Sequence, residues 1–141
     1  MSEAPLAPPF ELRGIEHALL LVGDMDAALA FYQDVLGARL EARFPRYAMA
    51  ELVAGVSHLD LVDVSRDEGA WARPPVAGGR NLDHIALRVS GEASAVRRHL
   101  AEHRVEIVEE RLNEDASGAE LSLYVRDPSG NTIELMGLLG V

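Results

Sequence analysis

The sequence predicts an α+β fold: two tandem βαβββ modules forming a curved mixed-sheet cup. Three observations predict it. The first is an internal echo, in which Gly14-Ile-Glu-His-Ala-Leu-Leu-Leu-Val22 returns as Asn81-Leu-Asp-His-Ile-Ala-Leu-Arg-Val89, setting His17 on His84 and Glu16 on Asp83. The second is a later echo that sets His58-Leu-Asp-Leu61 on Thr132-Ile-Glu-Leu135, and so Asp60 on Glu134. The third is order within each copy: a period-two run, a helical stripe, then three further strand-like runs.

The elements follow in sequence. Residues 1–11 read as a flexible tail, because their prolines favour extended backbone. A single domain fills 12–141, built of modules 14–64 and 81–138 with a connector at 65–80. In the first strand, 14–22, Leu20 and Val22 share one face and His17, Leu19 and Leu21 the other. Asp24 is placed to cap a helix whose stripe is Ala28, Leu29, Tyr32, Val35 and Leu36, with Gly37 as its stop. Strands are predicted at 39–44, 47–53 and 57–64.

The connector carries Pro74-Pro75 and Gly78-Gly79, with Trp71 anchoring it to the core. The second module repeats the pattern: a strand from Asn81, a helix to about His103, strands at 105–111, 121–126 and 132–138, and a polar loop at 113–118. Asp127-Pro-Ser-Gly-Asn131 is a turn by composition. His99 and His103 share a helical spacing that can bind zinc. Without a glutamate between them, and among Arg97, Arg98 and Arg104, they read as a solvated face.

Bulk properties exclude several classes. The 141 residues fit one domain, and 48% hydrophobic with 26% charged residues is ordinary for a globular chain. A net charge of −10 argues against nucleic-acid and anionic-membrane partners. All thirteen basic residues are arginine, so no lysine amine is available, and with no cysteine there is no thiolate ligand or thiol nucleophile. No apolar run is long enough to span a bilayer and the start does not read as a signal peptide, so the cytoplasm is the expectation.

Alternation then assigns faces. If Leu20, Val22, Leu59, Leu61, Leu87, Val89, Ile133 and Leu135 pack under the helices, then His17, His58, Asp60, His84 and Glu134 face the cup. Half-sheets curling together would gather His17, Asp60, His84 and Glu134 at one concavity. Two imidazoles with one or two carboxylates suit a divalent Ni, Zn, Mn, Co or Fe ion. His58 lines the same cup as a base, substitute ligand or wall. Arg88 and Arg126 are placed to clamp an anionic group of a substrate.

The duplication, His17, Ala30-Phe-Tyr-Gln-Asp-Val-Leu-Gly37, Asp83-His-Ile-Ala-Leu87 and Tyr124-Val-Arg-Asp-Pro-Ser-Gly-Asn-Thr-Ile-Glu-Leu135 resemble the vicinal oxygen chelate superfamily. That superfamily includes glyoxalase I, methylmalonyl-CoA epimerase, extradiol dioxygenases, fosfomycin-resistance thiol transferases and bleomycin-resistance proteins. The resemblance implies a glyoxalase-like fold, a homodimer, and one divalent metal held by His17, His84 and Glu134. Asp60 stands at a fourth position that glyoxalase I fills with glutamate.

It further implies a lyase, isomerase or epimerase acting on a small molecule with vicinal oxygens through a metal-stabilised enediolate or enolate. Glu134 or Asp60 is then the base, and Tyr124 lies on the catalytic face. An extradiol dioxygenase is an alternative by its two-histidine, one-carboxylate triad, although no acid–base histidine precedes His84 closely. A thiol transferase ranks lower: Leu19 stands in place of a threonine, and no arginine-bearing extension follows Leu138. A drug-binding protein of the bleomycin-resistance type, the non-enzymatic alternative, would not retain these ligands.

Overall fold

The computed structural model describes residues 13–72, 82–115 and 118–140. The expected tail, the connector beyond Ala72 and the middle of the polar loop lie outside them. The chain forms two four-stranded mixed sheets of the same design. β1 (His17–Val22), β2 (Arg39–Phe44), β3 (Met49–Ala54) and β4 (Ser57–Asp63) are ordered β1-β4-β3-β2. β5 (Ile85–Arg88), β6 (Glu109–Asp115), β7 (Gly118–Arg126) and β8 (Thr132–Leu138) are ordered β5-β8-β7-β6. In each sheet the first strand pairs in parallel with the last, and the other two pairings are antiparallel. The duplication read from the echoes is therefore a duplication of topology. The two sheets are not hydrogen-bonded to each other in the described residues.

The helices follow from local chemistry. Asp24 caps α1 (Met25–Leu29), its carboxylate accepting from the Ala27 N–H at 3.0 Å. The helix then widens into a π-helical stretch at Ala30–Val35. That widening turns Phe31 inward beside Tyr32, with the rings edge-to-face at 5.0 Å, so the buried stripe gains an aromatic that 3.6-residue spacing leaves out. Gly37, at φ +78°, ends it as expected. α2 (Ala93–Glu102) buries Ala93 and Leu100.

Period-two reading holds on the strands that matter to a site. Leu20 and Val22 are buried while His17, Leu19 and Leu21 are exposed. Leu59, Leu61, Leu121, Leu123, Val125, Ile133 and Leu135 join both helices in a single apolar core drawn from both modules. Polar contacts from the turn fasten the modules: Tyr32 Oη donates to Asp127 Oδ2 at 2.7 Å, Asn131 Nδ2 to the Leu21 carbonyl at 2.9 Å, and the Gly23 N–H to Ser129 Oγ at 2.9 Å. The turn 127–131 is thus also the clasp between the halves.

Several expectations need correction. β1 and β5 start later than predicted, at His17 and Ile85, so His84 immediately precedes its strand. Residues 45–47 form a 3-10 turn, closed by Ala48 in the left-handed region, and β3 begins after it. The strand expected at 105–111 lies instead at Glu109–Asp115, running into the predicted polar loop, because its ladder with β7 overrides its polar composition. Val105 and Ile107 pack on the core without joining the sheet.

Trp71 lies in a 3-10 turn (Asp67–Ala72) and stays 55% exposed. Its Nε1–H donates to the Tyr47 carbonyl at 3.0 Å, a polar tether rather than burial. His99 is half-buried rather than solvated, its Nε2 2.7 Å from the Val35 carbonyl, so it ties α2 to the end of the first helix.

Candidate metal centre

β1 and β4 are parallel neighbours, with His17 opposite His58 and Leu19 opposite Asp60. This register brings His17 Nε2 to 3.6 Å from Asp60 Oδ2. In the second sheet β5 and β8 pair in the same way, and His84 Nε2 lies 3.0 Å from Glu134 Oε1. Each module therefore builds a histidine–carboxylate pair on the face turned away from the shared core. Both carboxylates are buried. The gap is wider at Asp60, as expected of a side chain one methylene shorter.

All four groups do not converge within one chain. Among the described residues no three His, Cys, Asp or Glu side chains are grouped so as to hold an ion. His17, Asp60, His84 and Glu134 alternate with the side chains that enter the core, but among the described residues the four do not gather at one point. Both modules contribute their apolar faces to one core.

The two carboxylates differ in electrostatics. Burial pushes the Asp60 carboxyl above its ordinary range, and the His17 imidazole only partly offsets this. At Glu134 burial acts in the same direction but is overcome. Hydrogen bonds from Tyr124 and Ser122, with the His84 ring, hold it below the usual value. Ser122 is itself fixed by Asn113 Nδ2 at 2.8 Å. The bond to Glu134 and burial raise the Tyr124 phenol, so it remains a donor.

Tyr124 packs edge-on to His84 with centroids 5.5 Å apart, and the Arg111 guanidinium lies 5.7 Å from the Tyr124 ring centre. Both histidines titrate above the ordinary imidazole value, chiefly through the carboxylates of Glu16 and Asp83 on their Nδ1 atoms.

The remaining candidates fall around these pairs. His58 is half-buried with Nδ1 3.5 Å from Glu41 Oε2, opposite His17 in the register but reaching across β3 toward β2. Arg88 is engaged by Glu120 at 3.6 Å. Arg126 borders a groove of about 480 Å³ with Phe31, Val108 and Pro128, whose walls include none of the paired side chains. An arginine beside the Glu134 pair is Arg111, over the Tyr124 ring, which the sequence did not single out. With β6 in its actual register, Arg111 lies opposite Ser122 on the same face.

The donor set fits a metal as two halves: each supplies one imidazole and one carboxylate, and together they make the N/O set of a divalent first-row ion with open positions. No helix among the described residues is long and apolar enough to cross a membrane.

Comparison with known proteins agrees with this architecture. A lactoylglutathione lyase from Salmonella typhimurium is 29% identical over 85% of this chain and 89% of its own length. A virulence protein from the same organism is 29% identical over 86% of this chain and 81% of its own. Among solved structures, a fosfomycin resistance protein from Listeria monocytogenes superposes with a TM-score of 0.68 at 19% identity, covering 92% of this chain and 94% of that one. A lactoylglutathione lyase from Agrobacterium tumefaciens superposes with a TM-score of 0.63 at 25% identity, over 89% and 93%. The family model described as Glyoxalase/Bleomycin resistance protein/Dioxygenase superfamily matches residues 14–135, and the chain belongs to that superfamily.

Proposed function

We propose that the chain is a metal-dependent, glyoxalase-like enzyme of the lyase, isomerase or epimerase type. It acts on a small molecule with vicinal oxygens, in the cytoplasm, as a homodimer. The His17–Asp60 pair of one copy and the His84–Glu134 pair of the other complete each centre. The observation that carries this is the two-plus-two division of the donors, each histidine on or just before an edge strand (β1 or β5) and each carboxylate on the interior strand beside it (β4 or β8). β1 and β5 each have one neighbour in the described sheets, and an edge strand offers unpaired N–H and C=O groups to another chain. Pairing β1 of one copy with β5 of its partner is closed by a two-fold axis, which makes two equivalent centres.

His17, His84 and Glu134 would hold the ion, Ni, Zn, Mn, Co or Fe, with Asp60 beside it. When bound, the ion supplies Lewis-acid stabilisation to negative charge developing on two adjacent substrate oxygens. The chain's own groups do the rest. Asp60, whose carboxyl has the higher proton affinity of the two, takes a proton from a carbon next to a carbonyl and returns it to the neighbouring carbon or the other face. Glu134 stays ionised because Tyr124 and Ser122 donate to it. Leu19 and Leu21, exposed on β1, line the closed cup and exclude water.

The test is metal content of protein purified without chelators, followed by solvent-deuterium exchange alpha to a carbonyl. The likeness to lactoylglutathione lyases makes S-lactoylglutathione the first compound to try. Stoichiometric metal with exchange supports the proposal. Metal with oxygen uptake on catechols would replace it by a dioxygenase, and absence of any metal affinity by a small-molecule binder.

A further inference from the structure

We propose that Glu16 and Asp83 are positioning residues. Each holds the Nδ1–H of the histidine that follows it, so that both imidazoles present Nε2 to a cation. This rests on the metal reading above and adds to it the orientation of the ligands. The supporting geometry occurs twice. His17 Nδ1 is hydrogen-bonded to Glu16 Oε2, and His84 Nδ1 lies 2.7 Å from Asp83 Oδ2. Across each ring Nε2 faces the buried carboxylate of the adjacent strand, Asp60 at 3.6 Å or Glu134 at 3.0 Å.

The two modules share this polarity although glutamate and aspartate differ in length by a methylene. Nδ1 is the ring nitrogen nearer the backbone, within reach of the preceding side chain, and in both modules the acid takes it and leaves Nε2 to the adjacent strand. Neither acid is part of the core: the Glu16 and Asp83 side chains are 76% and 92% exposed.

A neutral imidazole has one N–H and one lone pair, and a carboxylate only accepts. Each ring lies between two carboxylates that compete for its single proton. With the proton held at Nδ1 by the preceding acid, the lone pair is left on Nε2, toward the buried carboxylate. A carboxylate behind a ligating histidine fixes ring rotation as well as tautomer. The equivalence of Glu16 and Asp83 was legible in the repeat, while the ring nitrogen each serves was not.

The test uses the full chain with 15N-labelled histidine. In metal-free alkaline buffer, NMR of the wild-type protein should show His17 and His84 as Nδ1–H tautomers. Asp83→Ala should move His84 toward the Nε2–H form and leave His17 unchanged, and Glu16→Ala should do the converse. Zinc titration should show each variant weakened by about 10- to 100-fold, with Asp83→Glu and Glu16→Asp restoring most of the loss. Glu120→Gln, which removes a half-buried carboxylate that touches Arg88, measures the general effect of one negative charge.

Tautomers that ignore the alanine substitutions would overturn the inference whatever zinc does. So would zinc losses no larger than that of Glu120→Gln. Tautomers that follow the acids in a protein that takes up no zinc would instead sink the metal reading alone.

Discussion

Replacing Tyr32 with phenylalanine and Asp127 with alanine should destabilise the chain unequally, and the two changes together should cost less than their sum. Asp127 is buried and accepts four hydrogen bonds: Tyr32 Oη at 2.7 Å, the Ser129 N–H at 2.9 Å, and the Asn131 N–H and Nδ2, both at 2.8 Å. Tyr32→Phe removes one charge-assisted bond and leaves the carboxylate three donors, a loss of about 2 kcal/mol. Asp127→Ala strips the turn of its acceptor and leaves a fully buried phenol unsatisfied, a loss of about 3–5 kcal/mol.

At roughly 3 °C per kcal/mol for a chain of this size, these are falls of about 6 °C and about 9–15 °C in Tm. In the double variant the orphaned hydroxyl is gone, so Tyr32→Phe should be neutral or stabilising there, with a coupling of about 2–3 kcal/mol. Thermal and urea melts followed by circular dichroism read all three. Additive losses, or a Tyr32→Phe protein within about 0.5 kcal/mol of wild type, would refute the role of this clasp.

His84→Ala should abolish tight metal binding while leaving the melt near that of wild type, since the ring is partly exposed and outside the core; full metal affinity in that variant would remove His84 from the ligand set. Metal uptake should fall as pH drops through the raised pKa values of His17 and His84, because protons compete for Nε2; with both rings ligating one ion, affinity should drop about 100-fold per pH unit once both are protonated. The metal-free protein should show the opposite sign: stability from these imidazolium–carboxylate contacts is fully present below the ordinary imidazole value of 6.5 and lost as pH rises through the raised values. Asp24→Ala, which removes the cap of α1, should cost about 1 kcal/mol and about 3 °C in Tm without changing metal affinity.

Much of this molecule is written in local pattern. Period two fixes which face His17, Asp60, His84 and Glu134 share, because burying Leu20, Leu59, Leu87 and Ile133 leaves a strand no choice about its other side. Asp24 and Gly37 mark the helix ends for equally local reasons. What alternation cannot give is which sheet lies opposite which, and so the division of the four donors into two pairs was hidden until packing was known. β6 was hidden for a related reason: Glu109, Arg111 and Asn113 have loop composition, and only the ladder with Tyr124, Ser122 and Glu120 makes them a strand. The π-helical turn that buries Phe31 departs from the period on which helical stripes are read. The clasp at Asp127 shows the same limit, since its composition announces a turn and only its contact with Tyr32 reveals a lock.

The division of one centre between two copies is tested most directly by mixing. His17→Ala and His84→Ala chains, each purified and found unable to hold metal alone, are combined under conditions that exchange subunits. A mixed dimer then has one centre with both intact halves, so the mixture should regain metal in proportion to the share of mixed dimers. Metal bound tightly by either variant alone, or no recovery in a mixture shown to contain mixed dimers, would contradict a centre built from both chains.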